Sequence, residues 1–475
     1  MRALDINRVQ RYSLYKLLVL IASLFFLVIS SASISLYISN EYIDDYENRV
    51  EINIKSNFSE EAKTIKQSNI EMLKQAFSSG ELSYMNELSG IIEGDNAIYP
   101  VKAVLSGENT EKFLGLNLLR GTFFSSEQYQ YGRRVAVISD TMAYKLFTTH
   151  HVIGNEIYIS GLKYKIIGLY KNKTSLFSLL ASDGIEKVYV PFDSMSQNSV
   201  KTINTIFIKE KTLEENSFRE KTIDRTIKDI LRTDINPYKI NDFYNNSIYT
   251  SQPLLLFIFF VGVLLMCILL KYFFKYMGFG NNYFRNGIKN NYFLEVLLKW
   301  KIRIPLFLLF AVLIVLFISA IFWNVRFKGA IPAEFIPSDN VFDFSFYADR
   351  IKETIYRANN NAGYLPTQLE IVFSKNLIAT YVLVLFLVIN LVSVLSAIKL
   401  SKIVNESFAK QIIVLIIGLV VGLALSFILC LVCGIKFNFP VSEVAVLLLF
   451  LAIKLFDEKR IDAKFSQCLH KTFEA

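Results

Sequence analysis

Residues 115–169 read GLNLLRGTFFSSEQYQYGRRVAVISDTMAYKLFTTHHVIGNEIYISGLKYKIIGL. Three units follow one another in this stretch. Arg134-Val135-Ala136-Val137-Ile138-Ser139 is a short apolar strand. Residues 140–147 continue as a helix, with Ser139 or Asp140 placed to cap its free N–H groups. After Gly154, two alternating strands, 156–160 and 163–169, flank a tight turn at Gly161. Periodicity alone predicts a small α/β domain and nothing narrower.

The order of these units is more specific. The series RGTFFS, RRVAVIS, AYKLF and IGNEIYISGLKYKIIGLY resembles the extracytoplasmic core domain of the MacB/FtsX-like ABC transporter permeases. In that family a Gly-x-x-Phe segment precedes a Val-Ala-Val-Ile-Ser strand, a helix ends in Leu-Phe, and a hairpin closes on an Ile-x-Gly strand. Gly121, Phe124, Val135 to Ser139, Phe147, Gly154, Ile157 and Gly168 stand at the matching positions. Val188-Tyr189-Val190-Pro191 matches the strand and proline that come next. The resemblance covers residues 1 to about 407.

Composition agrees with a membrane protein that carries a large polar domain. The chain has 475 residues, 53% of them hydrophobic, and a mean hydropathy of +0.37, too apolar for an ordinary soluble protein. The net charge is +9. The basic residues cluster beside apolar spans, as on the cytoplasmic side of membrane proteins, and this points away from nucleic acid as a partner. Cys267, Cys430, Cys433 and Cys468 all lie outside the polar block 39–252, which excludes a disulfide framework for that block. Cys430 and Cys433 have redox-motif spacing, but they sit in an apolar run and read as packing residues.

Along the chain the expected fold is an α-helical transmembrane bundle of six spans with an α/β extracytoplasmic domain between spans one and two. Residues 1–16 are basic and predicted inside. Residues 17–38 form a first span; small residues at 30–33 raise the alternative of a cleaved signal, which the apolar run continuing past them disfavours. Residues 39–252 form the outer domain. Within it, 40–77 reads as mostly helix, 81–88 as a short helix, 97–105 and 204–208 as strands, 213–232 as a helix and 238–243 as a strand. Ile223, Ile227, Ile230 and Leu231 share one face of the helix at 213–232. The last strand–helix–strand is expected to form a separate small lobe packed on the first. Residues 171–184 read as a loop that puts Leu176, Phe177, Leu179 and Leu180 in polar surroundings. These four are candidates for contact with an extracytoplasmic protein partner, or else a loop tucked onto its own core.

Spans two to six are predicted at 253–270, 304–323, 376–398, 412–434 and 441–456. Between them lie a cytoplasmic loop at 271–303, an outer insertion at 324–375 with a helix at 345–357, and a cytoplasmic loop at 399–411. A cytoplasmic tail occupies 457–475. In the MacB/FtsX-like family the loop after span two carries a helix along the membrane that docks on the ATPase, which by position singles out Gly280, Arg285, Tyr292, Phe293 and Glu295. The family's Arg-x-x-Glu-Ile-Gly motif is not recognisable there. An interfacial segment held by aromatic and basic residues is the alternative. The insertion 324–375 and the last two spans also depart from the family's simplest, four-span pattern.

No catalytic chemistry is legible. The sequence contains no phosphate-cradling Gly-x-x-x-x-Gly-Lys-Ser/Thr. Its histidines, His150, His151 and His470, lack metal-ligand spacing. Apart from Glu443 near the outer edge of the last span, the spans carry essentially no ionisable residues, which argues against a proton-coupled carrier. The Gly418-x-x-x-Gly422 pair predicts close helix contact. The resemblance therefore implies a permease subunit that binds no cofactor itself. It would work as a homodimer or paired permease in membrane lipid, with ATP held by a separate ATPase subunit. Its output would be export of a peptide, lipid-linked molecule or antibiotic, or purely mechanical. An FtsX-like regulator of cell-wall hydrolases and a membrane sensor or anchor are the competing expectations.

Overall fold

A computed structural model describes residues 2–38, 49–54, 67–77, 81–94, 97–195, 203–209, 225–230, 238–290, 292, 337, 343–359, 366–403 and 407–455. The chain divides into two compact units, one of residues 36–250 with 329–377 and one of residues 1–35, 251–328 and 378–475.

The first unit is built on a ten-stranded mixed sheet. Its strands are β1 Arg49–Ile54, β2 Glu81–Glu93, β3 Ile98–Ser106, β4 Asn117–Gly121, β5 Val135–Ser139, β6 Glu156–Ile159, β7 Leu162–Lys171, β8 Glu186–Pro191, β9 Thr205–Lys209 and β10 Tyr238–Asp242. They run in the order β10-β1-β9-β2-β3-β8-β5-β7-β4, with β6 bridging β2 and β7. Helices cover both faces, so the central strands are apolar on both sides. On β5, Ala136 and Ile138 join the core on one face and Val137 joins the core on the other. Val188 and Val190 of β8 alternate in the same way with Tyr189, as do Ile206 and Ile208 of β9 with Phe207.

The three units of the opening stretch form as read. The helix Asp140–Phe147 starts at Ser139, whose side chain accepts from the Met142 N–H. Ile159 pairs with Leu162 across a two-residue turn in which Ser160 (φ 47°) and Gly161 (φ 78°) both take positive φ, the geometry that matches strand twist in a tight hairpin. Gly121 is equally constrained: at φ 75° an added Cβ would lie 2.1 Å from the Ile167 carbonyl oxygen.

Three expectations are corrected. Residues 81–88 belong to a strand, not a helix, although Glu, Leu and Met favour helix locally; backbone pairing with β3 on one side and β9 on the other decides the matter. Within 40–77, residues 49–54 are likewise a strand between β9 and β10, and helix occurs only at Gln67–Ala76 among the described residues. There is also no separate second lobe: β9 and β10 are strands of the one sheet, at its β1 end. Of the helix expected at 213–232, residues 225–230 are helical, with Ile227 buried; Ile223 and Leu231 lie outside the described residues.

The second unit is a helix bundle fed by five helices: Arg2–Ile38, Phe243–Asn290, Gln368–Ile403, Phe408–Cys433 and Val441–Leu455. Four contain segments long and apolar enough to cross a membrane, at Arg11–Tyr37, Tyr249–Lys275, Gln368–Ser401 and Phe408–Cys433. The helix Val441–Leu455, expected as a span, has 15 residues and falls short of that length. The span expected at 304–323 and the tail 457–475 lie outside the described residues. The helix from Phe243 does not stop at Leu270 but runs to Asn290, so the first part of the expected cytoplasmic loop is helical.

The small residues of the first helix have a packing role. An added Cβ at Gly418 would lie 2.6 Å from Ile21 Cγ2, and one at Gly422 would lie 2.7 Å from the Ala22 carbonyl oxygen, so the two helices meet at backbone distance. Ser30 Oγ donates to Ser426 Oγ at 3.3 Å, and Ser33 Oγ donates to the Asn438 carbonyl at 3.1 Å.

Candidate functional site

The outer unit gathers the ends of three long helices. Tyr37, next to last in the helix Arg2–Ile38, is fully buried and hydrogen-bonded to Ser175 and, at 3.2 Å, to Ser178. These serines belong to the first turn of a short helix, Leu176–Ala181, where Ser175 caps the Ser178 N–H. Strand β10 passes directly into the helix Phe243–Asn290. The Phe243 ring lies 5.0 Å from Phe373, which stands in the first two turns of the helix Gln368–Ile403.

Arg49 of β1 binds this junction together. It is 1% exposed. Its guanidinium donates to the Phe113 carbonyl, reaches Glu51 at 3.5 Å and sits 4.9 Å from the ring centres of both Phe207 and Phe243. Burial pushes the Glu51 carboxyl above its ordinary range, with Arg49, Asn53 and Thr367 pulling the other way. Glu370, three residues after Thr367, pairs with Lys239 and accepts from Asn241 Nδ2 at 3.2 Å.

A cleft of about 370 Å³ opens beside the junction. Arg49, Glu51, Leu179, Thr367 and Gln368 line one part of it, and Thr141, Asn172, Asp183, Glu186 and Lys187 another. Glu186 accepts from Thr141 Oγ1 (2.7 Å), Ser139 Oγ (2.8 Å) and Asn172 Nδ2 (3.0 Å). Burial alone would raise its carboxyl, but these donors, with Lys145 nearby, hold it below the ordinary glutamate value. Lys187 pairs with Glu87 at 2.5 Å, and Lys102 pairs with Asp183. The charges of the cleft are thus largely neutralised in pairs, an arrangement that fixes a shape rather than poising a reactive group.

The four residues singled out at 176–180 separate. The segment is a helix, not a loop. Phe177 is buried against the Tyr37 ring at 5.6 Å, while Leu176, Leu179 and Leu180 are 42%, 61% and 57% exposed. Of the residues placed at the ATPase-facing segment, Gly280 and Arg285 lie on the helix ending at Asn290, Arg285 exposed, and Tyr292 is 83% exposed. Phe293 and Glu295 lie outside the described residues. His151 hydrogen-bonds Arg120 at 2.8 Å, and His150 stacks on Tyr144. No metal-binding group of His, Cys, Asp and Glu occurs among the described residues. The Arg49–Glu51 pair is missed by sequence reasoning, although its signal is present: charged and apolar residues alternate strictly from Arg49 to Ile52.

Residues 17–217 match the family described as MacB-like periplasmic core domain. This segment belongs to that family. The chain is also similar to the uncharacterized ABC transporter permease YknZ of Bacillus subtilis (strain 168), 31% identical over 99 residues, which are 20% of this chain and 24% of that relative. The match therefore spans about a quarter of the curated relative's length. Among solved structures, the periplasmic region of MacB from Actinobacillus actinomycetemcomitans aligns with 41% of this chain and 88% of its own, at 16% identity and a TM-score of 0.35. The extracellular domain of the noncanonic ABC-type transporter YknZ from Gram-positive bacteria aligns with 41% of this chain and all of its own, at 17% identity and a TM-score of 0.34. The chain is a membrane protein of the MacB/FtsX-like ABC transporter permease family, with a MacB-like periplasmic core domain and several membrane-length helices.

Proposed function

We propose that the chain is the permease subunit of an ABC transporter in the cell membrane, paired with a second permease copy and with a separate subunit that binds and hydrolyses ATP. The exposed Arg285 and Tyr292, with Gly280, Phe293 and Glu295, form the surface that meets this ATPase on the cytoplasmic side, where both chain termini also lie. ATP-driven movement of the helices is delivered to the outer domain.

One observation carries this reading. The two strands that join the outer domain to its flanking membrane helices, β1 after the helix Arg2–Ile38 and β10 before the helix Phe243–Asn290, are antiparallel neighbours in the sheet. Force arriving along either helix therefore reaches the sheet at one place, and Arg49 on β1 is tied to the start of the second helix through Phe243. Residues 17–37, 249–270, 376–398 and 412–433 contain no Asp, Glu, Lys, Arg or His. Without charged groups to mark a polar path, the output is either handling of an apolar or lipid-linked substrate or a purely mechanical action on an external partner, as for a regulator of a cell-wall hydrolase.

The experiment is recovery of the full chain from membranes in mild detergent. A P-loop ATPase should co-purify, and Arg285→Glu should reduce its recovery. Isolation of the intact chain without any such ATPase would overturn the proposal.

A further inference from the structure

The helix Leu176–Ala181 exposes three leucines in a domain whose other leucines are mostly enclosed. Its position offers a reason. Ser175, the residue that caps it, is hydrogen-bonded to Tyr37 Oη, and Tyr37 is the last residue of the apolar segment Arg11–Tyr37. A six-residue helix is about 9 Å long, so Leu176, Leu179 and Leu180 all lie near the point where that segment ends. Taken per side, the headgroup region of a bilayer is about 5–8 Å thick. The leucines are therefore within reach of the level at which lipid chains begin.

We infer that the helix Leu176–Ala181 dips into the outer surface of the bilayer, with Leu176, Leu179 and Leu180 seated among the upper acyl carbons. Three further features fit a lipid occupant better than a protein one. The polar groups at the start of the helix are already satisfied, since Ser175 Oγ accepts from the Ser178 N–H and contacts Ser178 Oγ at 2.8 Å, so entering a low-dielectric layer leaves none of them exposed. Phe177 faces the other way, onto Tyr37, and anchors the helix to the end of the span. Lys171 and Lys173 precede it in sequence, as basic residues commonly do beside lipid headgroups. The outer domain would thus rest on the membrane at a second point besides its covalent connections. A pull that lifts the sheet would have to extract the leucines from the lipid.

The test uses the full chain in vesicles of phosphatidylcholine and phosphatidylglycerol. Trp300 and Trp323, the two native tryptophans, are replaced by Phe, and a single tryptophan is introduced as Leu179→Trp. Seated in lipid, it should emit at short wavelength and lose emission when the lipids carry bromine near the headgroup end of the chains, and less when the bromine is near the chain ends. Leu176→Trp and Leu180→Trp repeat the reading independently should one variant fail to fold. Emission typical of water without quenching would overturn the inference. So would blue-shifted emission that no brominated lipid quenches, which would mean that protein, a second copy or another partner, covers the helix. Neither result depends on whether an ATPase is bound, so failure here leaves the permease assignment standing.

Discussion

In the outer domain the largest fully buried side chain is an arginine, and it lies beside a buried glutamate. In the helix bundle the buried polar side chains among the described residues are serines, a threonine and a glutamine, and none carries a charge. The outer domain can enclose Arg49 because a carbonyl, a carboxylate and two aromatic faces surround it. The bundle holds its helices together by removing side chains, at Gly418 and Gly422, and by short hydroxyl contacts such as Ser30 with Ser426. The difference follows from the surroundings. A folded domain in water gains from burying large apolar rings, and an ion pair can be set among them. Between helices in lipid that gain is absent, and close backbone approach replaces it.

The sharpest way to break this comparison is to remove one member of the ion pair. Arg49→Met leaves Glu51 buried and without its cation, and should destabilise the outer domain by about 3–5 kcal/mol. The loss should appear as a lower unfolding temperature of the full chain in detergent and as faster proteolysis of the sheet domain. The double replacement Arg49→Met with Glu51→Leu should recover most of it, because no charge is then stranded. Arg49→Lys should not recover it, since a lysine cannot stack on Phe207 and Phe243 while donating to the Phe113 carbonyl. Equal losses in the single and double variants would mean that packing volume, not charge, holds the junction.

The bundle side predicts a smaller loss of a different kind. Gly422→Val places methyl groups where a Cβ alone would already lie 2.7 Å from the Ala22 carbonyl oxygen and 2.8 Å from Phe25 Cβ. Overpacking of this sort costs about 1–3 kcal/mol. Cysteines introduced as Ser30→Cys and Ser426→Cys in a background without the native cysteines should form a disulfide readily, and Gly422→Val should lower the yield. Gly278→Val is the control: on the helix Phe243–Asn290 an added Cβ at this position would meet nothing within 4 Å, and the substitution should leave the yield unchanged.

What the sequence disclosed follows the same division. The strand, helix and hairpin between Val135 and Lys171 were legible because local pattern and final structure agree there: Ser139 caps, Ser160 and Gly161 turn, and β5 is apolar throughout. The strand at 81–93 was not, because its composition favours helix and only its two neighbours in the sheet, distant in sequence, make it a strand. Arg49-Val50-Glu51-Ile52 has the alternation of a strand, but charges on one face suggest solvent, and nothing local says that Phe243, almost two hundred residues later, will cover them. The serines at 30–33 resembled a cleavage site because their packing partners, near Gly422 to Asn438, are equally remote. For the proposed sites, the exposed leucines were found as a cluster of apolar residues in polar surroundings, while the enclosure of Phe177 required the fold.

The finest distinction lies within the outer domain, where two glutamates lining one cleft should respond to pH in opposite directions. The Glu186 carboxyl is held below its ordinary value of 4.5 by Thr141, Asn172 and Ser139 against the opposing effect of burial. Its contribution to stability is complete above that ordinary value and is lost as the pH falls through the lower value of the folded state. Glu51 is raised by burial, so the stability it favours is present below 4.5 and is lost as the pH rises through its higher folded value. Unfolding temperatures of the full chain measured across acid pH should therefore fall less steeply toward low pH in Glu186→Gln than in the parent. Glu51→Gln should instead remove a decline that appears above the ordinary glutamate range. Ser139→Ala should reproduce part of the Glu186→Gln change and add a pH-independent loss of about 1 kcal/mol from the missing cap on the helix Asp140–Phe147. The Gly422→Val loss, arising from packing between uncharged helices, should be the same at every pH; a pH-dependent loss there would mean that the two units do not handle buried polarity differently after all.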